Sequence, residues 1–197
     1  AGLVNSSLLA VHAVHMNDDE IERFAEVGVS IAHCPRSNLK LASGVARVAD
    51  YRAAGVNIAL GTDGAASNNT LDLFAEMQSA ALLAKVAADD AAAVTADDAL
   101  HMATLSGARA LGLEERIGSI EPGKQADLAC VGLGALNSQP VYNVISQLVY
   151  ATGSRQVSDV WVGGRHQLDN ERFTHINSDN MIARSHEWRD RIAATSA

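Results

Sequence analysis

Cysteine is scarce in this sequence: Cys34 and Cys130 are the only two in 197 residues, far apart and in no CxxC spacing. That excludes a disulfide framework and a thiolate zinc knuckle, and makes reduced, partly buried thiols the expectation. Basic residues are few as well, 15 against 23 acidic ones, for a net charge of −8. No basic stripe of the kind nucleic-acid binding needs is available, so DNA and RNA are set aside as partners. No apolar run approaches the ~18 residues of a membrane span, and no signal peptide is visible, so a soluble, cytoplasmic chain without a membrane partner is expected. Histidines number 7, yet none stands in a His-x-His or His-x-x-Glu spacing. An initiating Met is missing too: the chain opens on Ala1 and runs into Gly-Leu-Val-Asn, and is expected to start within a longer protein.

What is present is a chain with 48% hydrophobic residues, enough for one large domain or one and a half ordinary ones. From residue 8 it alternates: "LLAVHAVH", the amphipathic "NDDEIERFAEVG", "VSIAHCP", "VARVADYRAAG" and "VNIALGTDG". Asp18, Asp19 and Glu20 fill the first turn of the first helix and Gly28 follows its end, as the macrodipole and C-cap preferences require. The second helix is expected near Val45 to Ala54, stopping at Gly55. Strand, helix, strand, helix, strand at roughly 25-residue spacing predicts parallel βα units. Each predicted strand ends in polar groups: His12 and His15, then His33 and Asn38, then Asp63 and Ser67. Three successive strands delivering such groups at one end mark a site, because loops there carry polar groups over a packed scaffold.

Farther on, "LDLFAEMQSAALLAKVA" and "TADDALHMATLSGARALGL" predict two helices, the latter capped by Thr95 with Asp98 three residues on. After residue 114, "RIGSIEPGKQADLACVGL" and "VSDVWVGGRHQLD" suggest short strands between glycine turns, and "NMIARSHEWRDRIAAT" a terminal helix.

Each site residue has a plainer reading. Asp63 could cap a helix starting near Asn69 or Thr70. His15 suits a hydrogen-bonded loop position better than a metal, and His33 suits packing beside Cys34-Pro35 as well as it suits function. His101, His166, His175 and His186 are expected to be structural or solvated. Ser67 has no local base, so a serine nucleophile is not expected. An acid at one strand end with His12 two strands earlier nevertheless suits metal-assisted hydrolysis: a carboxylate can bind a divalent ion and accept a proton from water, while an imidazole stabilises developing charge. A catalytic zinc takes about three protein ligands, which these spacings do not supply.

The segments "HAVH", "HCPRSNLKLASG", "LGTDGAASNN", "LDLFAEM" and "GSIEPGKQADL", in this order over about residues 8 to 173, resemble the C-terminal half of the amidohydrolase superfamily. Within it they are most similar to the 5′-methylthioadenosine/S-adenosylhomocysteine deaminases, then to chlorohydrolases and guanine-type deaminases. The resemblance implies an α/β fold: strands six to eight of a (β/α)8 TIM barrel over residues 1–113, part of a small β-sandwich over 114–173, and a helical tail over 174–197. It implies that Asp63 binds zinc, one ion per intact site, and shuttles the proton of the attacking water. It gives His12 the role of hydrogen-bonding the hydroxide or tetrahedral centre, and places Ser37 to Leu41 in the loop after the seventh strand, with Asn38 and Ser67 shaping the substrate pocket. The family's other zinc ligands, in His-x-His and His-x-x-Glu motifs, are absent here. The expected function is therefore a fragment of a zinc-dependent deaminase that converts a 6-aminopurine nucleoside and releases ammonia. Its expected partners are that nucleoside and the missing N-terminal barrel half, with a homo-oligomer left open for the intact protein. The alternatives are a non-catalytic remnant, a subunit needing a second chain, or a related amidohydrolase. Alone, the chain is expected to be inactive and prone to aggregate, since three parallel strands leave two unpaired edges.

Overall fold

Asn17 starts the first helix by accepting a hydrogen bond from the Glu20 amide while the Glu20 carboxylate accepts one from the Asn17 amide. This capping box satisfies two otherwise unpaired donors, and Gly28, at φ 75°, ends the helix in the left-handed conformation that glycine adopts without strain. The computed structural model describes residues 2–195. Two units emerge, one running up to Gln125 and including Leu133–Gln156, the other comprising Ala126–Gly132 and the chain from Val157 onward.

In the first unit, β1 (Leu9–Val11), β2 (Ser30–His33) and β3 (Asn57–Leu60) form a parallel sheet in sequence order. Helix α1 (Asp18–Val27) connects the first pair; α2 (Pro35–Lys40) and α3 (Val48–Ala53) connect the second. The expected βα alternation is thus present. Ile31 faces Ile58 across the β2–β3 register, and both enter a core with Tyr51, Met77, Ala80 and Val149. Burying each such large side chain contributes roughly 1.5–3 kcal/mol. Outer strand β1 is less enclosed, with Val11 exposed.

Helices α4 (Leu73–Ala88), α5 (Ala96–Ala103) and α6 (Leu105–Ala110) follow. Thr95 and Asp98 form the expected capping box of α5. Helix α4 begins later than expected, with Asp72 as its cap. Asp63 therefore caps no helix at Asn69 or Thr70, and its carboxylate is free for other partners. Of Ser37 to Leu41, expected as loop, all but Leu41 lie in the helix Pro35–Lys40, whose first turn takes Pro35 because its missing N–H costs nothing there. The second helix is shorter than expected, Val48–Ala53.

In the second unit, β4 (Leu128–Val131), β5 (Val157–Val162), β6 (Arg165–Asp169) and β7 (Arg172–Phe173) form an antiparallel sheet in that order. The β5–β6 hairpin turns on Gly163 and Gly164, both at positive φ, as a two-residue loop matching the strand twist requires. Of "RIGSIEPGKQADLACVGL", only Leu128–Val131 is extended as a strand. The chain between β4 and β5 instead supplies α7 (Val144–Tyr150) to the first unit, where it packs on α4 and α5. The terminal helix α8 (Ser178–Thr195) has no buried residue. No helix among the described residues is long and apolar enough to cross a membrane.

Candidate active site at the strand exits

Because β1, β2 and β3 are parallel, their C-terminal ends open on one side of the sheet. Backbone pairing continues past the strands: the His12 amide donates to Ala32 O at 3.0 Å and the Gly61 amide to His33 O at 2.9 Å. The chain then turns sharply. His12 and Asp63 both hold left-handed φ, 67° and 60°. A non-glycine residue there costs on the order of 1–3 kcal/mol and persists only where surrounding bonds enforce it, a pattern concentrated at functional sites.

Those bonds are visible. Asp63 Oδ2 accepts from Ser37 Oγ at 2.7 Å and from Ser67 Oγ at 2.6 Å, while Oδ1 accepts from the Gly64 amide at 2.7 Å. The Ser37 and Ser67 hydroxyls, then the Gly64 amide, stabilise the charged form and hold the Asp63 carboxyl down at about 2. It is an anion at neutral pH. His12 Nε2 lies 3.8 Å from Asp63 Oδ2, and His12 Nδ1 is 2.8 Å from Asn38 Oδ1. With Nδ1 engaged by Asn38, Nε2 is the ring nitrogen left toward Asp63. Tyr51, fully buried, donates its hydroxyl to Ala13 O at 2.7 Å and so pins the chain just beyond His12.

Of the residues expected at this site, His12, Asn38, Asp63 and Ser67 come together. His15 is exposed and bonds to none of them. His33 is buried, with Nδ1 lacking a hydrogen-bond partner. Burial, then the neighbouring His12, lowers its pKa to about 4, which keeps the imidazole neutral. Cys34 is a buried free thiol pushed up to about 11 by burial, Asp63 and Glu76, and is not a nucleophile at neutral pH. Composition and spacing singled out neither the Ser37 bond to Asp63 nor Lys40, whose Nζ reaches Ala66 O and Asn69 Oδ1 at 2.7 Å each. Glu76 was missed as well, although an acid on the apolar stripe of α4, beside Met77 and Ala80, is legible as an anomaly.

Asp63 and His12 fit one corner of a metal site: a carboxylate ionised and oriented by hydroxyls, with an unbonded imidazole nitrogen beside it. They fall short of the three protein ligands of a catalytic zinc. Among the described residues, three ligating side chains converge only in the second unit, where Asp159, His166 and Asp169 place ligand atoms within 4.8 Å of one another.

The profile of the Amidohydrolase family matches residues 1–166. The chain belongs to the amidohydrolase family. This amidohydrolase chain is 47% identical over 193 residues to a 5-methylthioadenosine/S-adenosylhomocysteine deaminase of Teredinibacter turnerae, covering 98% of the chain and 44% of the relative. It is 53% identical over 182 residues to the corresponding Moorella thermoacetica protein, covering 92% and 42%. A zinc-bound adenosine deaminase from Xanthomonas campestris superposes with a TM-score of 0.96 at 52% identity, over 98% of this chain and 44% of that one. The chain therefore spans less than half the length of the relatives it matches.

Proposed function

We propose that this chain supplies the Asp63–His12 side of a metal-dependent hydrolytic deaminase. Its substrate is a 6-aminopurine nucleoside of the methylthioadenosine, S-adenosylhomocysteine and adenosine class, converted to the 6-oxo product with release of ammonia. One observation carries the reading: a strained, triply hydrogen-bonded carboxylate at a parallel-strand exit, facing an imidazole nitrogen without a hydrogen-bond partner among the described residues. Relatives named for that reaction, and a zinc-bound neighbour, support it. In this reading β1, β2 and β3 are strands six, seven and eight of a (β/α)8 barrel, the antiparallel sheet is part of a small β-sandwich, and the protein is cytoplasmic.

Asp63 would hold one zinc ion per site together with ligands outside this sequence, and the ion would supply Lewis acidity and a lowered pKa for the attacking water. Asp63 also takes the water's proton: Ser37 and Ser67 keep the carboxylate ionised until that moment and orient it. His12, its Nδ1 engaged by Asn38, presents Nε2 to the oxygen that develops charge. Asn38 and Ser67 border the space where the purine reacts. With one carboxylate and one imidazole, the 197-residue chain alone neither holds zinc tightly nor turns over substrate. The test is an ammonia-release assay of the full-length gene product with methylthioadenosine, S-adenosylhomocysteine, adenosine and guanine. Turnover of the nucleosides is expected, and turnover of guanine alone would contradict the substrate class.

A further inference from the structure

Glu76 is fully buried on α4 and touches neither Asp63 nor His12, yet both segments that shape the Asp63 site end on its carboxylate. Oε2 accepts from the Arg36 amide at 3.2 Å, in the turn that opens α2 and immediately precedes Ser37. Oε1 accepts from Asn68 Nδ2, whose second proton goes to Thr62 O at 2.9 Å, the carbonyl just before Asp63. The buried Arg36 Nε, which has no hydrogen-bond partner, lies 3.8 Å from Oε1 and adds charge attraction. A buried acid is costly unless paired, and burial pushes the Glu76 carboxyl up while the Arg36 and Asn68 donors oppose it. Helix stability does not explain it, since an apolar residue would fill that stripe better.

We infer that Glu76 is a positioning residue: it fixes the distance between the turn carrying Ser37 and the loop carrying Asp63, so that Ser37 Oγ stays on Asp63 Oδ2. The inference rests on the reading of Asp63 as the reacting acid. Glutamate suits the task because both partners are donors and each carboxylate oxygen accepts. In Glu76→Gln one arm would set an amide N–H against an N–H, and that arm would open. An effect transmitted this way passes through Ser37, which makes it separable from a general loss of structure.

The experiment uses the full-length protein and a nucleoside substrate, comparing Glu76→Gln, Asn68→Ala, Ser37→Ala, each of the first two combined with Ser37→Ala, and Asp63→Asn. Asn68→Ala opens the loop-side arm while leaving the Glu76 side chain and its bond from the Arg36 amide in place, and so supplies a second variant should Glu76→Gln not fold. Glu76→Gln is expected to lower kcat about 10- to 100-fold with KM changed less than about three-fold, since a displacement near 1 Å can cost that much. The combined variants should be no worse than the poorer single variant by more than about two-fold, the non-additivity of residues acting through one contact. Losses that multiply, or a Glu76→Gln kcat within two-fold of wild type, would overturn the inference while an inactive Asp63→Asn leaves the site reading standing. Wild-type turnover in Asp63→Asn would overturn the site reading, and the inference with it.

Discussion

His12 and His166 each stand beside an aspartate, one at the parallel strand exits and the other on the antiparallel sheet, and the two pairs differ in how closely they meet. His166 Nε2 is bonded to Asp159 Oδ1 at 3.0 Å, and its ring lies flat on Trp161, with centroids 4.4 Å apart and planes within 5°. Ser158, the Asn170 amide and His166 lower the Asp159 pKa. In that pair the imidazole and the carboxylate bond each other directly. His12 instead spends Nδ1 on Asn38 and leaves Nε2 separated from Asp63 by 3.8 Å, a gap too long for a hydrogen bond. The backbone differs too: His12 and Asp63 hold left-handed φ, whereas His166 lies in β6 opposite Trp161, beside a register shift and without a left-handed φ. Closeness of a histidine and an acid is common. In the proposed reading, a gap held open by strained, well-supported backbone is what marks His12 and Asp63 as the working pair.

The largest effect that sharpens this contrast is expected from Asp63→Asn. The amide oxygen can still accept from Ser37 and Ser67 while the Gly64 arm is lost, so folding should persist, but the amide is a poor metal ligand and cannot take a proton. Turnover in the full-length protein should fall by about 10³-fold or more. A thermal melt within a few degrees of wild type would show that chemistry, not folding, was lost.

The next effect concerns pH and the region around His33. Its folded pKa, about 4, lies below the ordinary 6.5, so between these values the unfolded chain binds more protons than the folded one. Stability from the neutral, buried ring is complete above pH 6.5 and is lost as pH falls toward 4. Denaturant unfolding at pH 7 and pH 4.5 should differ by about 2 kcal/mol from this group alone. In His33→Leu that part of the difference should vanish, and an unchanged slope would assign the acid sensitivity elsewhere.

The smallest effect should come from His166→Ala. It removes a partly exposed ion pair and a ring stack, costing about 1 kcal/mol of stability. Turnover should stay within about two-fold of wild type, measured beside Asp63→Asn under one assay. A large loss of turnover would erase the distinction between the two pairs.

Much of this site was legible in the amino-acid order because it depends on local rules. Apolar runs ending at His12, His33 and Asp63, separated by helices with recognisable caps at Asp18–Glu20 and Gly28, place three polar groups at one sheet end. The supports were not legible, because they are contacts between residues distant in sequence. Ser37 meets Asp63 across 26 positions and Arg36 meets Glu76 across 40, with no periodic signal to announce either. The helical turn at 35–40 was hidden by its shortness, and α7 by its position between segments that read as strands.

The central claim is that Asp63, not the crowded Asp159–His166–Asp169 group, is the metal acid. Anomalous scattering at the zinc edge from crystals of the full-length protein tests it directly. The account predicts a peak about 2.0–2.2 Å from an Asp63 carboxylate oxygen. A peak on Asp159, His166 and Asp169, with none beside Asp63, would contradict it.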